Sequence, residues 1–338
     1  DEHPERYHAL EDILAQLKAN GVEHLIIAGD LFDASRQNFA DFEHLCQRHP
    51  GISFSIVPGN HDPDISESKI VGSNVHIFDA PQLHEIDESG PPFLFLPYAK
   101  GATMGESLEA FSDRLEPRRW ILIAHGDWSE GMRAANPYEP GIYMPLTSKD
   151  IERYQPRQVF LGHIHAAFDS GRVHYAGSPC GLDITETGRR RFLLYDTESD
   201  EINAHFVNTD IIFFNEFFAM VPTEDEPAYI RAQASERINS WQLTEGEREK
   251  VRLRVTVAGY CSDREALLGE LSTAFEGFAY TDKQGADISR VSISADPDRM
   301  HIAERVKAKI DALEWQSGSD EPDRAQIMVA ALDVIYGE

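Results

Sequence analysis

The chain has 338 residues, more than a single hydrophobic core usually holds, so we expect two domains. No apolar run approaches the length of a membrane span, and the three cysteines lie too far apart for a disulfide framework or a thiolate zinc site. These features argue against a membrane-spanning protein and a disulfide-bonded scaffold, and they predict a cytoplasmic protein. The formal charge of −27 indicates an acidic surface, unlike the basic face of a protein that binds nucleic acid unaided.

The N-terminal half combines one helical pattern with several short extended ones. Apolar residues at helical spacing predict a helix over residues 5–20, which Gly21 ends. Four segments of one design follow it, over residues 24–33, 52–62, 120–127 and 158–165. Each is an apolar run too short for a helix, followed at once by glycine or polar residues. Nearly continuous aliphatic runs are typical of strands covered on both faces, as in parallel sheets. Further strands are predicted over residues 173–176, 191–195, 204–207 and 213–221.

The pattern changes after residues 222–227, an acidic segment bounded by prolines that we predict to be a linker. Apolar and polar residues alternate over residues 251–257, which predicts a strand with one exposed face. Ser262 and Glu265 have the spacing of a capping box, which predicts a helix up to about Phe275. The remaining predicted elements are a strand over residues 288–295 and helices over residues 297–313 and 325–336. Together these elements predict a small α+β domain.

Polar residues follow each of the four apolar runs. They are Asp30 and Asp33, then Asn60, His61 and Asp62, then His125 and Asp127, and finally His163 and His165. Because the carboxyl ends of parallel strands meet at one edge of a sheet, we expect these side chains to lie together. Oxygen and imidazole ligands without thiolate suit first-row ions such as Mn, Fe or Zn better than Ca or Mg. The group exceeds what one tetrahedral ion needs, so it predicts a two-metal site.

The four motifs resemble those of a known family. GDLFD (29–33), GNHD (59–62), HGD (125–127) and GHIH (162–165) occur in the order found in calcineurin-like metallophosphoesterases. The segment YAGSPCGLDITETGRRRFLLYD (175–196), followed by a separate α+β segment, is similar to the nuclease subunit of SbcCD-type DNA repair complexes. The resemblance implies an α/β fold, with an α/β/β/α sandwich over residues 1–221 and an α+β capping domain over residues 222–338.

The same resemblance implies a role for each motif residue. The metal ligands would be Asp30, Asn60, His125, His163 and His165. Asp30 would bridge two ions, His165 would bind one of them, and the other three ligands would complete the shell of the second ion. His61 would be the catalytic histidine that stabilises the transition state or protonates the leaving oxygen. Asp62 would either orient His61 or cap the following turn, and Asp33 would either support the ligands or belong to the turn, without binding metal.

The resemblance further implies a metal-dependent DNA exo/endonuclease that uses two divalent ions, above all Mn, with Fe, Zn or Mg as alternatives. Its partners would be DNA, an SbcC-like coiled-coil ATPase and a second copy of the chain. The ATPase would supply the DNA-binding surface that a charge of −27 does not provide. Two alternatives stay open: a phosphoesterase acting on a small phosphodiester or phosphomonoester, and an inactive scaffold of the same fold.

The first motif of this family, Asp-x-His after an N-terminal strand, has one possible counterpart in Asp1-Glu2-His3. No strand precedes it, Pro4 leads directly into the predicted helix, and the Leu-Gly pair typical of the SbcD-like branch is missing. We therefore expect residues 2–5 to be a lead-in to the helix and the true motif to lie upstream of residue 1. The alternative is that Asp1 and His3 are themselves ligands.

Overall fold

The computed structural model describes residues 4–33, 38–87, 89–130, 141–281, 285–314 and 323–337. The chain divides into two compact units. The first unit comprises Asp1–Cys180 and Arg190–Asn208, and the second comprises Gly181–Arg189 and Thr209–Glu338. Among the described residues, no helix has the length and apolar character needed to cross a membrane.

The first unit contains four α-helices among the described residues. They are α1 (Pro4–Ala19), α2 (Phe39–Arg48), α3 (Met104–Glu109) and α4 (Ser148–Tyr154). Its strands are β1 (His24–Ala28), β2 (Ser53–Val57), β3 (Val75–Ile77), β4 (Gln82–His84), β5 (Phe93–Leu96), β6 (Ile121–His125), β7 (Gln158–Gly162), β8 (Phe168–Ser170), β9 (Val173–Tyr175), β10 (Arg191–Tyr195) and β11 (Ile202–Phe206). The four predicted strands that carry the motifs are β1, β2, β6 and β7.

Two sheets and a hairpin make up the strands of this unit. One sheet is parallel, in the order β1-β2-β3. The other has the order β4-β5-β6-β7-β9-β8, parallel at its centre and antiparallel at both edges. Strands β10 and β11 pair as an antiparallel hairpin. The mixed α/β class with parallel sheets is thereby confirmed.

Alternate side chains of each central strand pack on opposite faces of its sheet, and these contacts show the order of the helix and sheet layers. In β6, Leu122 packs in a cluster with residues of α3 and α4, whereas Ile121 packs in a cluster with Val57 of β2. In β2, Phe54 instead packs in a cluster with residues of α1 and α2. Each sheet therefore buries one face against helices and the other against the second sheet, which explains why its strands lack polar alternation. The layers follow the order of the predicted α/β/β/α sandwich.

The second unit is a parallel sheet with helices on both faces. Its strands are β12 (Ile212–Met220), β13 (Val251–Cys261), β14 (Ala279–Tyr280) and β15 (Asp287–Ile293). Its α-helices are α5 (Glu226–Ser240), α6 (Arg264–Ala274), α7 (Pro297–Asp311) and α8 (Arg324–Tyr336). Residues of α5 and α6 pack on one face of the sheet, and residues of α7 and α8 pack on the other.

Three local predictions for this unit need correction. Helix α5 begins at Glu226, inside the segment predicted to be a linker. The N-cap of α6 is Asp263, not Ser262, because the Asp263 carboxylate accepts the backbone N–H of Glu265 at 2.8 Å. The alternate residues of β13, from Arg252 onward, are half-buried rather than exposed, because a helix layer also covers this face.

The domain division at residues 221 and 222 stays a prediction. The compact units divide earlier in the chain, before β12. Strand β12 pairs in parallel with β13 from Ile212 to Met220, and this nine-residue ladder places it in the second unit.

Candidate metal centre

Asp30 lies at the turn that ends β1. Gly29 has φ +90° and Asp30 has φ +52°, so both occupy the left-handed region and the chain reverses sharply. The turn meets the end of the neighbouring strand β2, where the backbone N–H of His61 donates to Oδ1 of Asp30 at 2.9 Å. A β-carbon on Gly59 would lie 2.1 Å from the same oxygen. Glycine at residue 59 therefore allows the two strand ends to approach each other.

His125 is the last residue of β6 and is fully buried. Its Nδ1 atom lies 2.8 Å from the carbonyl oxygen of Ala28, which can only accept, so Nδ1 donates. The other ring nitrogen, Nε2, lies 3.2 Å from Oδ2 of Asp30 and 2.8 Å from Oδ1 of Asn60. A histidine held through one nitrogen by a carbonyl, with the other nitrogen facing oxygen ligands, has the arrangement of a metal ligand.

His163 follows β7 and the glycine that ends it. It is buried, and its φ of +95° is unusual for a side chain with a β-carbon, so the surrounding structure holds the turn in a strained conformation. Its Nδ1 atom lies 2.9 Å from Oδ1 of Asn60, and its ring centroid lies 5.4 Å from that of His125. The amide oxygen of Asn60 thus faces both histidine rings.

A divalent cation fits this arrangement. One ligand atom each from Asp30, His125 and His163 can be chosen so that all three lie within 4.8 Å of one another. Ligands about 2.0–2.2 Å from a shared ion lie up to roughly 4.3 Å apart, so only small side-chain adjustments are needed. One carboxylate and two imidazoles, with an amide oxygen beside them, are also the donor set that first-row divalent ions prefer.

The electrostatic environment keeps the Asp30 carboxylate ionised. Burial by itself raises its pKa, but the hydrogen bond and charge of His125, together with the backbone N–H of His61, outweigh this effect and lower the pKa. Asp62 differs, because burial dominates and raises its pKa. The Asp62 oxygens accept the backbone N–H groups of Phe32 at 3.0 Å and Gly59 at 2.7 Å, so this residue stabilises the turns after β1 and β2.

The other residues predicted for the site are not part of the group formed by Asp30, His125 and His163. The side chain of His61 is 37% exposed, and its Nδ1 atom lies 3.9 Å from Oδ1 of Asp33. Asp33, rather than Asp62, is therefore the carboxylate that faces the predicted catalytic histidine. His165 is exposed and does not belong to the three-residue group. Asp1 and His3 lie outside the described residues. The ligand roles of Asn60 and His165 stay predictions.

Comparison with protein families decides the class of this domain. Residues 1–167 match the family described as calcineurin-like phosphoesterase. This region is a calcineurin-like metallophosphoesterase domain. The Asp, His and His group of the candidate metal centre lies within it. A comparison with curated proteins found no match.

Two residues of the first unit received no individual role from the sequence. Asp127 is buried, with Oδ1 3.7 Å from Nε2 of His163 and Oδ2 accepting the backbone N–H of Tyr143 at 2.7 Å. Its position two residues after His125 indicates that Asp127 lies near the site, but the sequence does not show that its partner is His163. Arg190 lies within the run Arg189–Arg191, and unlike most arginines it is buried, with only 6% of the residue exposed.

Proposed function

We propose that the chain is a metal-dependent phosphodiesterase that cleaves DNA, the exo/endonuclease subunit of an SbcCD-like complex. The observation that supports hydrolysis most strongly is the convergence of Asp30, His125 and His163, with the partly exposed His61 beside them. The similarity of residues 175–196 to SbcD-type nucleases, and the second unit that follows, support DNA as the substrate.

The residues of the site have separate tasks in this proposal. Divalent cations, when bound, supply a water of lowered pKa and positive charge for the phosphate oxygens. Asp30, His125, His163 and Asn60 would hold one cation, and His165, together with Asp30, would hold a second. The backbone N–H of His61 fixes the Asp30 carboxylate. The partly exposed imidazole of His61 protonates the leaving sugar oxygen. A positioned acid of this kind contributes about 10²- to 10⁴-fold to the rate.

The metal and the partners follow from the same reasoning. Mn²⁺ suits a site of mixed oxygen and imidazole donors, with Fe, Zn and Mg as the alternatives. A chain with a charge of −27 repels a polyanion over most of its surface, so we propose that a partner ATPase of the SbcC type captures the DNA. A second copy of the chain would place two nuclease sites on one DNA end.

The test uses the full chain with Mn²⁺, alone and with a coiled-coil ATPase of the SbcC type. The substrates are end-labelled duplex DNA, bis(p-nitrophenyl) phosphate and p-nitrophenyl phosphate. We expect degradation of DNA that His61→Asn lowers at least 100-fold while Mn²⁺ binding is retained. His76→Asn is the matched control, because His76 is an exposed histidine on β3. Activity of His61→Asn at the wild-type level would contradict the catalytic role.

One observation favours a second candidate, a phosphoesterase for small substrates. The charge of −27 disfavours DNA more than it disfavours a small phosphodiester or phosphomonoester. Hydrolysis of the chromogenic substrates, with intact DNA even in the presence of the ATPase, would establish this alternative and exclude the nuclease. Failure to bind Mn²⁺ or any other divalent ion would leave only an inactive scaffold.

A further inference from the structure

Arg190 lies immediately before β10 with its side chain buried in the first unit. A buried guanidinium is costly unless its donors are bonded, and here they reach the main chain of two loops. Nε donates to the carbonyl oxygen of Ser178 at 2.8 Å. Nη2 donates to the carbonyl oxygen of His165 and to the hydroxyl of Ser178. One side chain therefore joins the loop after β7 to the loop after β9.

The two loops also contact each other at His165. The backbone N–H of Ser178 donates to the carbonyl oxygen of His165 at 3.1 Å. Gly177 has φ +82°, and a β-carbon there would lie 2.7 Å from the same oxygen. The main chain of His165 is thus held by Ser178 and Arg190, whereas its imidazole is exposed.

We propose that Arg190 is a positioning residue for His165, holding its main chain so that the exposed imidazole is presented to a second divalent cation. The inference rests on the proposed function, in which His165 binds that cation. A ligand on a loop binds weakly unless its backbone is ordered beforehand, because binding must otherwise offset the lost conformational freedom. The planar guanidinium reaches the two loops with two different nitrogens, Nε and Nη2, whereas lysine has only one nitrogen to share between them.

The test compares Arg190→Gln, Arg190→Lys and His165→Ala in the full, metal-stripped chain. Titration calorimetry with Mn²⁺ alone measures the number of ions and the affinity of each site. Hydrogen exchange measures the protection of the Ser178 amide, which donates to His165. The matched control is Arg191→Gln, since Arg191 is the next arginine and donates to Asp169 at 2.7 Å and to the carbonyl oxygen of Tyr175 at 3.1 Å, not to His165.

We expect Arg190→Gln to retain the first Mn²⁺ and to weaken the second about 10- to 100-fold, with faster exchange of the Ser178 amide. Arg190→Lys should recover part of the affinity, and Arg191→Gln should bind both ions as the wild type does. Wild-type affinity at both sites in Arg190→Gln would overturn the inference. An equal loss at both sites, together with a lower melting temperature, would also overturn it, because Arg190 would then be only structural.

A failure of the proposed function gives a different result. If the wild type binds a single Mn²⁺, or if His165→Ala binds two ions normally, His165 is not a ligand and the two-metal proposal itself is wrong. If His165→Ala loses the second ion and Arg190→Gln does not, the proposed function stands and the role of Arg190 is wrong. Should Arg190→Gln not fold, Arg190→Lys decides by the same criteria, because it keeps the positive charge and the N–H donors of one nitrogen.

Discussion

Gly29 and His125 lie so close together that a β-carbon on residue 29 would be 2.1 Å from the Nδ1 atom of the histidine. The two residues come from the ends of β1 and β6, which belong to different sheets. The same Nδ1 atom donates to Ala28, so the backbone of the first strand end fixes the orientation of the imidazole. Any side chain at residue 29 must therefore displace a predicted metal ligand.

The first prediction is that Gly29→Ala lowers the affinity for Mn²⁺ at least tenfold, because His125 has to move. Gly171→Ala is the control: Gly171 also has a left-handed φ, +60°, but a β-carbon there meets no atom within 4 Å. The control should lose about 1 kcal/mol of unfolding free energy and bind Mn²⁺ normally. Calorimetric titration and urea unfolding separate the two effects. Normal Mn²⁺ binding by Gly29→Ala would show that His125 is not a ligand.

The second prediction concerns the carboxylate beside His163. Asp127→Asn removes the charge next to Nε2 of His163 and keeps the side-chain shape, so it should weaken Mn²⁺ binding about 10- to 100-fold with little change in stability. Asp169→Asn is a matched control, because Asp169 lies 2.8 Å from a different histidine, His174. The control should leave the affinity for Mn²⁺ unchanged. Equal affinities of the wild type, Asp127→Asn and Asp169→Asn for Mn²⁺ would show that Asp127 does not contribute to the metal site.

The third prediction is a dependence of stability on pH. Burial, and then the hydrogen bond from its hydroxyl to Glu109 at 2.6 Å, raise the pKa of Tyr154 to about 12. Since the unfolded phenol has a pKa near 10, its contribution to stability is complete below pH 10 and is lost as the pH rises through about 12. The unfolding free energy of the wild type should therefore fall more steeply than that of Tyr154→Phe between these values. If urea unfolding shows the same decrease of unfolding free energy with pH for both proteins, the pKa of Tyr154 is not raised.

The fourth prediction tests the start of α6. Asp263→Ala removes the acceptor of the Glu265 and Ala266 N–H groups and should cost about 1 kcal/mol of unfolding free energy. Ser262→Ala leaves this cap intact and removes only the exposed hydrogen bond from its hydroxyl to Glu226. Its cost should be smaller, about 0.5 kcal/mol or less. A larger loss for Ser262→Ala in urea unfolding would restore the capping box predicted from the sequence.

Local patterns predicted some elements well and missed others for physical reasons. The apolar runs of β1, β2, β6 and β7 were recognisable because both faces of each strand pack against apolar clusters. Helix α5 was missed because it buries few side chains, chiefly Ile230 and Ala234, and so lacks a clear apolar stripe. The start of α6 was misplaced by one residue because Asp263 and Ser262 are both good N-cap residues, and only the folded backbone shows which one accepts.

The sequence by itself determined the elements of the site: four strands, the glycines that end them and the polar residues that follow. These are local properties, because strand formation and left-handed turns depend on neighbouring residues. Only the tertiary structure decided which side chains meet. Asn60 faces His125 and His163 across 65 and 103 residues of chain, Arg190 is buried against His165, and His165 itself is exposed. Such contacts depend on strand order and on the packing of two sheets, which no local pattern contains.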